Sequence, residues 1–248
     1  LLGRPEFTDY WAMKWCDVLR VKAEFPINLW PNAAQAYHEW VRAAIMTNMP
    51  YDEFARALLT ASGSNFKEPP VNFFRAVENR SPEGLAGAVA LTFMGTRIAS
   101  WPETDRQAMA AFFSHLSYKP TAEWKEEILI QNPEKEEGFA AVFPDGTPVE
   151  IPAGMDPRAV FANWLTDPKN PWFARAAVNR VWFWLMGRGI VHEADDLRPD
   201  NPPVNPELLS FLEREFTASG YDLRHLYRVI LRSATYQQSS IPADNHPE

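Results

Sequence analysis

Apolar residues recur at helical spacing along most of the chain. Tyr10, Trp11, Trp15, Val18 and Leu19 share one face of a helix predicted over residues 8–20, with Thr8 as its N-cap. Pro26 and Pro31 break the pattern; Asn32 then caps a second helix over 33–48, and Asp52 a third that runs to Ala61 and is closed by Ser62-Gly63-Ser64-Asn65. A loop at Pro69-Pro70 leads to Ser81-Pro82-Glu83, where a cap, a first-turn proline and an early acid mark the start of a helix that ends at Gly95. Thr104-Asp105-Arg106-Gln107 matches a capping box and opens a helix to Leu116.

The period changes between Glu126 and Pro152. Ile128-Leu129-Ile130, Ala141-Val142-Phe143 and Val149-Glu150-Ile151 are short β-prone runs, and the Asp145-Gly146 turn predicts a hairpin. Helical patterning resumes with Asp156-Pro157, Asn170-Pro171 and Asn205-Pro206-Glu207, each a cap followed by a first-turn proline. These helices are expected to run to Leu165, to Met186 before Gly187 and to Ser219 before Gly220, and Asp222 caps a last one to Arg232. Residues after Ser239 read as a loose tail. The expected fold is mainly α: two helical blocks, 1–119 and 156–248, joined by a short β-hairpin at 120–155 and packed as one unit around an aromatic-rich helical core.

Charge supports that junction. Of the net −8 over 248 residues, residues 120–155 carry eight acids against two bases, whereas both flanking blocks are nearly balanced. An acidic chain without a basic run points away from nucleic acid and from anionic membrane surfaces. The charge-free stretch from Gly84 to Thr96 is shorter than the roughly 20 residues of a spanning helix, so no membrane span is expected. The start at Leu1-Leu2-Gly3-Arg4 reads as a piece of a longer chain, with flanking domains expected. A single cysteine, Cys16, excludes an internal disulfide framework and multi-cysteine zinc; its amphipathic setting predicts a small buried hydrophobe.

Chemistry concentrates on the helix after Asn170. Val178, Val181, Trp182, Phe183, Trp184, Leu185 and Met186 make its second half apolar nearly all round, which predicts burial. Asn179 and Arg180 lie within it, and a guanidinium in apolar surroundings must find an acid or several carbonyls. Asp195 and Asp196 are the expected partners, either as a structural clamp or as the floor of a polar pocket. His192-Glu193-Ala194-Asp195-Asp196 groups four oxygen or nitrogen ligands but lacks the spacing of a calcium loop, so no metal is assigned. Most of the ten tryptophans sit at helical spacing and are expected in the core; Trp30 and Trp101, each beside proline, are expected to be exposed. No phosphate loop, His-Glu-x-x-His or Gly-x-Ser-x-Gly occurs, so no catalytic residue and no cofactor is assigned.

Two sets of residues carry a family resemblance. Phe7-Thr8-Asp9-Tyr10-Trp11-Ala12-Met13-Lys14-Trp15-Cys16-Asp17-Val18-Leu19-Arg20, Trp40-Val41-Arg42 and Asn48-Met49-Pro50-Tyr51-Asp52-Glu53-Phe54 resemble the first of two adjoining domains of unknown function in planctomycete-type cytochrome-associated proteins. Trp164-Leu165-Thr166-Asp167-Pro168, Asn170-Pro171, Ala174-Arg175, Val178-Asn179-Arg180-Val181-Trp182, Gly187-Arg188-Gly189-Ile190-Val191, Asp195-Asp196, Pro206-Glu207-Leu208-Leu209 and the run from Ser233 to Ser240 resemble the second. The resemblance implies a large extracytoplasmic bacterial protein, periplasmic or at the cell surface, with separate haem-binding or lectin-like modules elsewhere, and no established activity. Many members carry Cys-x-x-Cys-His where this chain reads Thr96-Arg97-Ile98-Ala99-Ser100-Trp101-Pro102, and a histidine where it has Asn205.

The expected function is a non-catalytic binding or scaffolding module, linked to polysaccharide breakdown, whose partner is carbohydrate or another protein. Its candidate binding residues are Arg175, Asn179, Arg180, Asp195 and Asp196. The alternative is a hydrolase or other enzyme with a polar pocket near Asn179, Arg180, Asp195 and Asp196.

Overall fold

Proline, more than the polar cap, sets where the early helices begin, because its fixed φ suits a first turn and its missing N–H costs nothing there. In the computed structural model, which describes residues 2–23, 31–135 and 137–238, helix α1 (Pro5–Val18) starts at Pro5, so Thr8 is buried inside it rather than capping it. Asn32 likewise falls within α2 (Pro31–Thr47). Helix α3 (Tyr51–Thr60) takes Pro50 as its N-cap and leaves Asp52 in its first turn. The Pro26 break, Trp30 and the tail after Ser239 lie outside the described residues.

Strand β1 (Gly63–Ser64) and the short helix α4 (Asn72–Arg75) follow. Cap and proline coincide at α5 (Pro82–Val89), where the Ser81 hydroxyl accepts the N–H of Gly84. This helix continues through a wider π turn (Ala90–Met94) and stops at Gly95, whose φ of +60° only glycine adopts without strain. Helix α6 (Glu103–Ala111) has Pro102 as its N-cap; Thr104, the expected capping residue, meets only Asp105 at the exposed surface.

Leu116 opens strand β2 (Leu116–Pro120) instead of closing a helix, because Leu116 and Tyr118 pack on the core at strand spacing. Strand β3 (Glu127–Gln131) runs antiparallel to both β2 and β1, with Leu129 opposite Tyr118 on one side and Gly63 on the other. Strands β4 (Phe139–Val142) and β5 (Pro148–Ile151) form a separate antiparallel pair around the Asp145-Gly146 turn. Among the described residues helix accounts for 52% and strand for 9%, so the chain is mainly α.

Helices α7 (Pro157–Leu165), α9 (Pro206–Ala218) and α10 (Leu223–Leu231) begin where the punctuation predicts, each capped by a side-chain oxygen: Asp156, Asn205 and Asp222. Helix α8 (Phe173–Met186) starts later than Pro171, because Asn170 Oδ1 accepts the N–H groups of both Trp172 and Phe173. One hydrophobic cluster runs through both ends of the chain. Phe173 of α8 stacks on Tyr51 of α3 at 4.9 Å, and Trp184 of α8 packs edge-on against Trp15 of α1 at 5.2 Å. Cys16 is buried in this cluster; burial, reinforced by the Asp17 charge, pushes its thiol up to about 12. Helix α8 is buried from Phe173 to Trp182 except at Arg175, but its last turn is not: Phe183 is 36% exposed and Trp184 half-buried. Trp101, expected to be exposed, is half-buried against the core; among the described residues Trp124, in the turn between β2 and β3, is the exposed tryptophan at 63%.

Candidate functional site

Arg180 sits in the middle of α8 with its side chain 2% exposed, and each nitrogen of its guanidinium has a hydrogen-bond acceptor. Nε donates to Asp195 Oδ1 at 3.0 Å, and Nη2 reaches the same oxygen. Nη1 donates to the Thr92 carbonyl at 2.7 Å and Nη2 to the Leu91 carbonyl at 3.0 Å. Those two carbonyls belong to the last turn before Gly95, where no further N–H is available along the helix. Arg180 therefore caps the C-terminal end of another helix, where a cation is favoured by the aligned peptide dipoles.

Asn179 holds the loop that carries the acid. Its Nδ2 donates to the carbonyls of Val191 and Ala194, and its Oδ1 accepts the N–H of Val191 at 2.8 Å. Gly189 is required by the closeness of this contact: a Cβ there would lie 2.2 Å from the Val191 carbonyl oxygen. The loop then returns to the first block through Leu197 N–H, which donates to the Gly95 carbonyl. Asp196 does not join Arg180; it pairs with Arg198 at 2.9 Å. Arg175 is also separate, paired with Glu213 of α9 at 2.6 Å and lining a groove of about 360 Å³ with Trp172, Arg198 and several prolines. Of the five candidate residues the fold thus joins Arg180 with Asp195, sets Asn179 behind them, and turns Arg175 and Asp196 elsewhere.

Arg180 and Asp195 open on a cavity of about 390 Å³ whose other wall is the end of α1 and the second residue after it: Asp17, Val18 and Arg20. Arg20 Nη2 donates to the Thr92 hydroxyl at 3.3 Å, so the two guanidinium groups grip the same threonine from its side chain and its carbonyl. Burial draws the Arg20 guanidinium below its ordinary value; Tyr37 opposes that and the neighbouring Arg180 adds to it. Behind Arg180 the Tyr51 phenol is fully buried, and that burial raises its pKa while Arg180 draws it back. Among the described residues no three His, Cys, Asp or Glu side chains converge as a metal site, and no helix is long and apolar enough to cross a membrane.

A second cavity, of about 470 Å³, lies where α1, α8 and α10 meet. Tyr10, Trp11, Trp184 and Tyr236 line it, with Arg4 and Glu6 at its edge. Tyr10 is 48% exposed, and the Trp11 and Trp184 rings lie 5.7 Å apart at a tilt.

Residues 1–118 match a family described as protein of unknown function (DUF1549), PSCyt2, and residues 157–248 match one described as protein of unknown function (DUF1553), PSD1. The chain is this pair of domains, in that order. No curated protein and no solved structure matches it. In this pair the Arg180 contacts cross from the second matched domain to the carbonyls of the first, as do the cavity walls. Sequence reasoning missed Arg20 and Thr92. The one signal for Arg20 was an arginine where a helix ends without glycine, and nothing in the pattern distinguished Thr92.

Proposed function

We propose that the chain is a non-catalytic, extracytoplasmic binding module of a larger bacterial protein, and that its ligand is carbohydrate. The cavity between α1, α8 and α10 carries this reading. It has the size of a small-ligand site, its walls are predominantly aromatic, and a guanidinium and a carboxylate stand at its edge. Tyr and Trp rings offer flat faces to the C–H side of a sugar, while Arg4 and Glu6 supply hydrogen bonds to hydroxyl groups. Placement in the periplasm or at the cell surface, flanking domains and a link to polysaccharide breakdown belong to the same reading and rest on the resemblance. In it, residues 120–155 serve as the linker between two helical blocks that work as one unit.

Tryptophan fluorescence titrated with cellopentaose and xylopentaose tests the assignment, since Trp11 and Trp184 line the cavity. Saturable quenching by one of them, weakened about tenfold or more in Tyr10→Ala, is the expected result. Saturation that is unchanged in Tyr10→Ala, or no response to either, refutes it.

One observation favours the enzyme reading: Arg180 and Asp195 face a cavity rather than a closed core. That reading keeps Asn179, Arg180 and Asp195 as the site, with Asp196 and Arg175 outside it. It predicts turnover of an oligosaccharide that is abolished in Asp195→Asn.

A further inference from the structure

Helix α1 ends in a place built for glycine and occupied by arginine. The N–H of Val21 bonds to the Cys16 carbonyl at 2.9 Å and the N–H of Arg20 to the Asp17 carbonyl, the pairing of a helix end whose next residue turns left-handed. That residue is Arg20, with a φ of +59°. A side chain here strains the backbone where glycine would not. Backbone outliers of this kind are motive to look for a task at the side chain.

The side chain is placed with equal cost. Its guanidinium lies over the Phe73 ring, its Nε is buried without a hydrogen-bond partner, and among the described residues it makes no ion pair. The adjacent Arg180 has already taken Asp195. A buried cation, Arg180, and a half-buried one, Arg20, thus share Thr92, and Arg180 alone has an acid; a charge drawn out of water without a partner is expensive. Both face the same cavity of about 390 Å³, which has Asp17 and the half-exposed Asp195 at its outer side.

The geometry points to a binding site for a single carboxylate group between Arg20 and Arg180, distinct from the aromatic cavity. Asp195 pairs with Arg180 and, among the described residues, no acid pairs with Arg20, so one negative charge placed against Arg20 completes the pairing of the two guanidinium groups. The planar fork of a carboxylate matches a guanidinium edge, which a spherical halide does not. Asp17 and Asp195 oppose any anion, and oppose a dianion such as sulfate about twice as strongly as a single carboxylate. The cavity exceeds the carboxylate itself, leaving room for a body about the size of one sugar ring or one amino acid.

The test is calorimetric titration of the chain with sodium glucuronate, sodium acetate, sodium sulfate and neutral glucose at matched ionic strength. Glucuronate and acetate are expected to bind, with glucuronate tighter and with sulfate and glucose weaker than either. Arg20→Gln is expected to weaken glucuronate about tenfold or more, and Asp17→Asn to tighten it about twofold to fivefold. Arg20→Gln without ligand is expected to melt no lower than the parent, which separates a ligand-binding arginine from a structural one. Equal glucuronate affinity in the parent and Arg20→Gln overturns the site, as does no binding of either carboxylate. Sulfate binding tighter than glucuronate overturns the carboxylate assignment. If glucuronate affinity falls in Tyr10→Ala and holds in Arg20→Gln, the sugar sits in the aromatic cavity and this site is refuted while the carbohydrate reading stands.

Discussion

At the scale of single residues, Arg180 and Arg20 are opposites. Arg180 has an acid and two helix-end carbonyls, so removing it strands the Leu91 and Thr92 carbonyls and opens a void in the core. Arg180→Ala is expected to lower stability by about 3 kcal/mol, read as a shift in urea midpoint at constant slope. Asp195→Asn is expected to cost about 1–2 kcal/mol, less than Arg180→Ala, because it leaves the buried Arg180 charge with carbonyl partners alone, while water screens the 37% exposed Asp195 side of the pair. Equal losses in the two variants would mean that the ion pair, and not the carbonyl capping, is what Arg180 contributes. The pairing of Arg180 with a nearby acid was legible in the sequence, since a guanidinium in an apolar helix needs one. Its carbonyl partners were not, because they lie 88 and 89 positions away and backbone atoms carry no residue signature.

At the scale of elements, the caps give paired expectations. Ser81→Ala and Asp222→Ala remove side-chain acceptors at helix starts and are each expected to cost about 1 kcal/mol, whereas Thr104→Ala should cost less than half of that. Asp222 adds a pH signature. Its burial opposes ionisation, but the N–H of His225, the amide of Asn48 and the N–H of Arg224 outweigh it and hold the carboxyl below its ordinary value. Because the folded pKa is the lower one, the stabilisation is complete above the unfolded value of about 4 and is lost as pH falls through the folded value. The gap between the parent and Asp222→Asn should therefore be constant from pH 5 to 7 and narrow below about pH 4. A gap that persists at pH 2 would assign the effect to packing. Elements read well from sequence where a polar cap and a first-turn proline coincide, as at Ser81, Asp156 and Asn205, and poorly where proline stood alone before a tempting threonine or aspartate. The sheet was harder: β1 has two residues, and its pairing with β3 depends on the buried Asn65, whose carboxamide accepts the N–H of Glu127. So short a partner leaves no periodicity to detect.

At the scale of the whole molecule, one device recurs three times. Arg224 donates to the Ile45 and Met46 carbonyls at the end of α2, Arg158 to the Ala61 carbonyl at the end of α3, and Arg180 to Leu91 and Thr92 at the end of the π turn. Each arginine comes from residues 157–248, and each helix end from residues 1–118. The second matched domain therefore supplies the C-terminal caps of the first, in addition to the aromatic contacts of Phe173 and Trp184 with Tyr51 and Trp15. Separated, the first domain would leave at least five of these carbonyls to water and uncover the rings that α8 now covers. Fragments 1–118 and 157–248 expressed alone are expected to show no cooperative thermal transition and to bind a hydrophobic dye, whereas the whole chain melts in one step. Mixing the two fragments should restore part of the transition, because the interface is made of side chains already present on each. Two independent, sharp transitions from the isolated fragments would instead make the pair of domains autonomous, and the arginine caps a contact formed after each had folded.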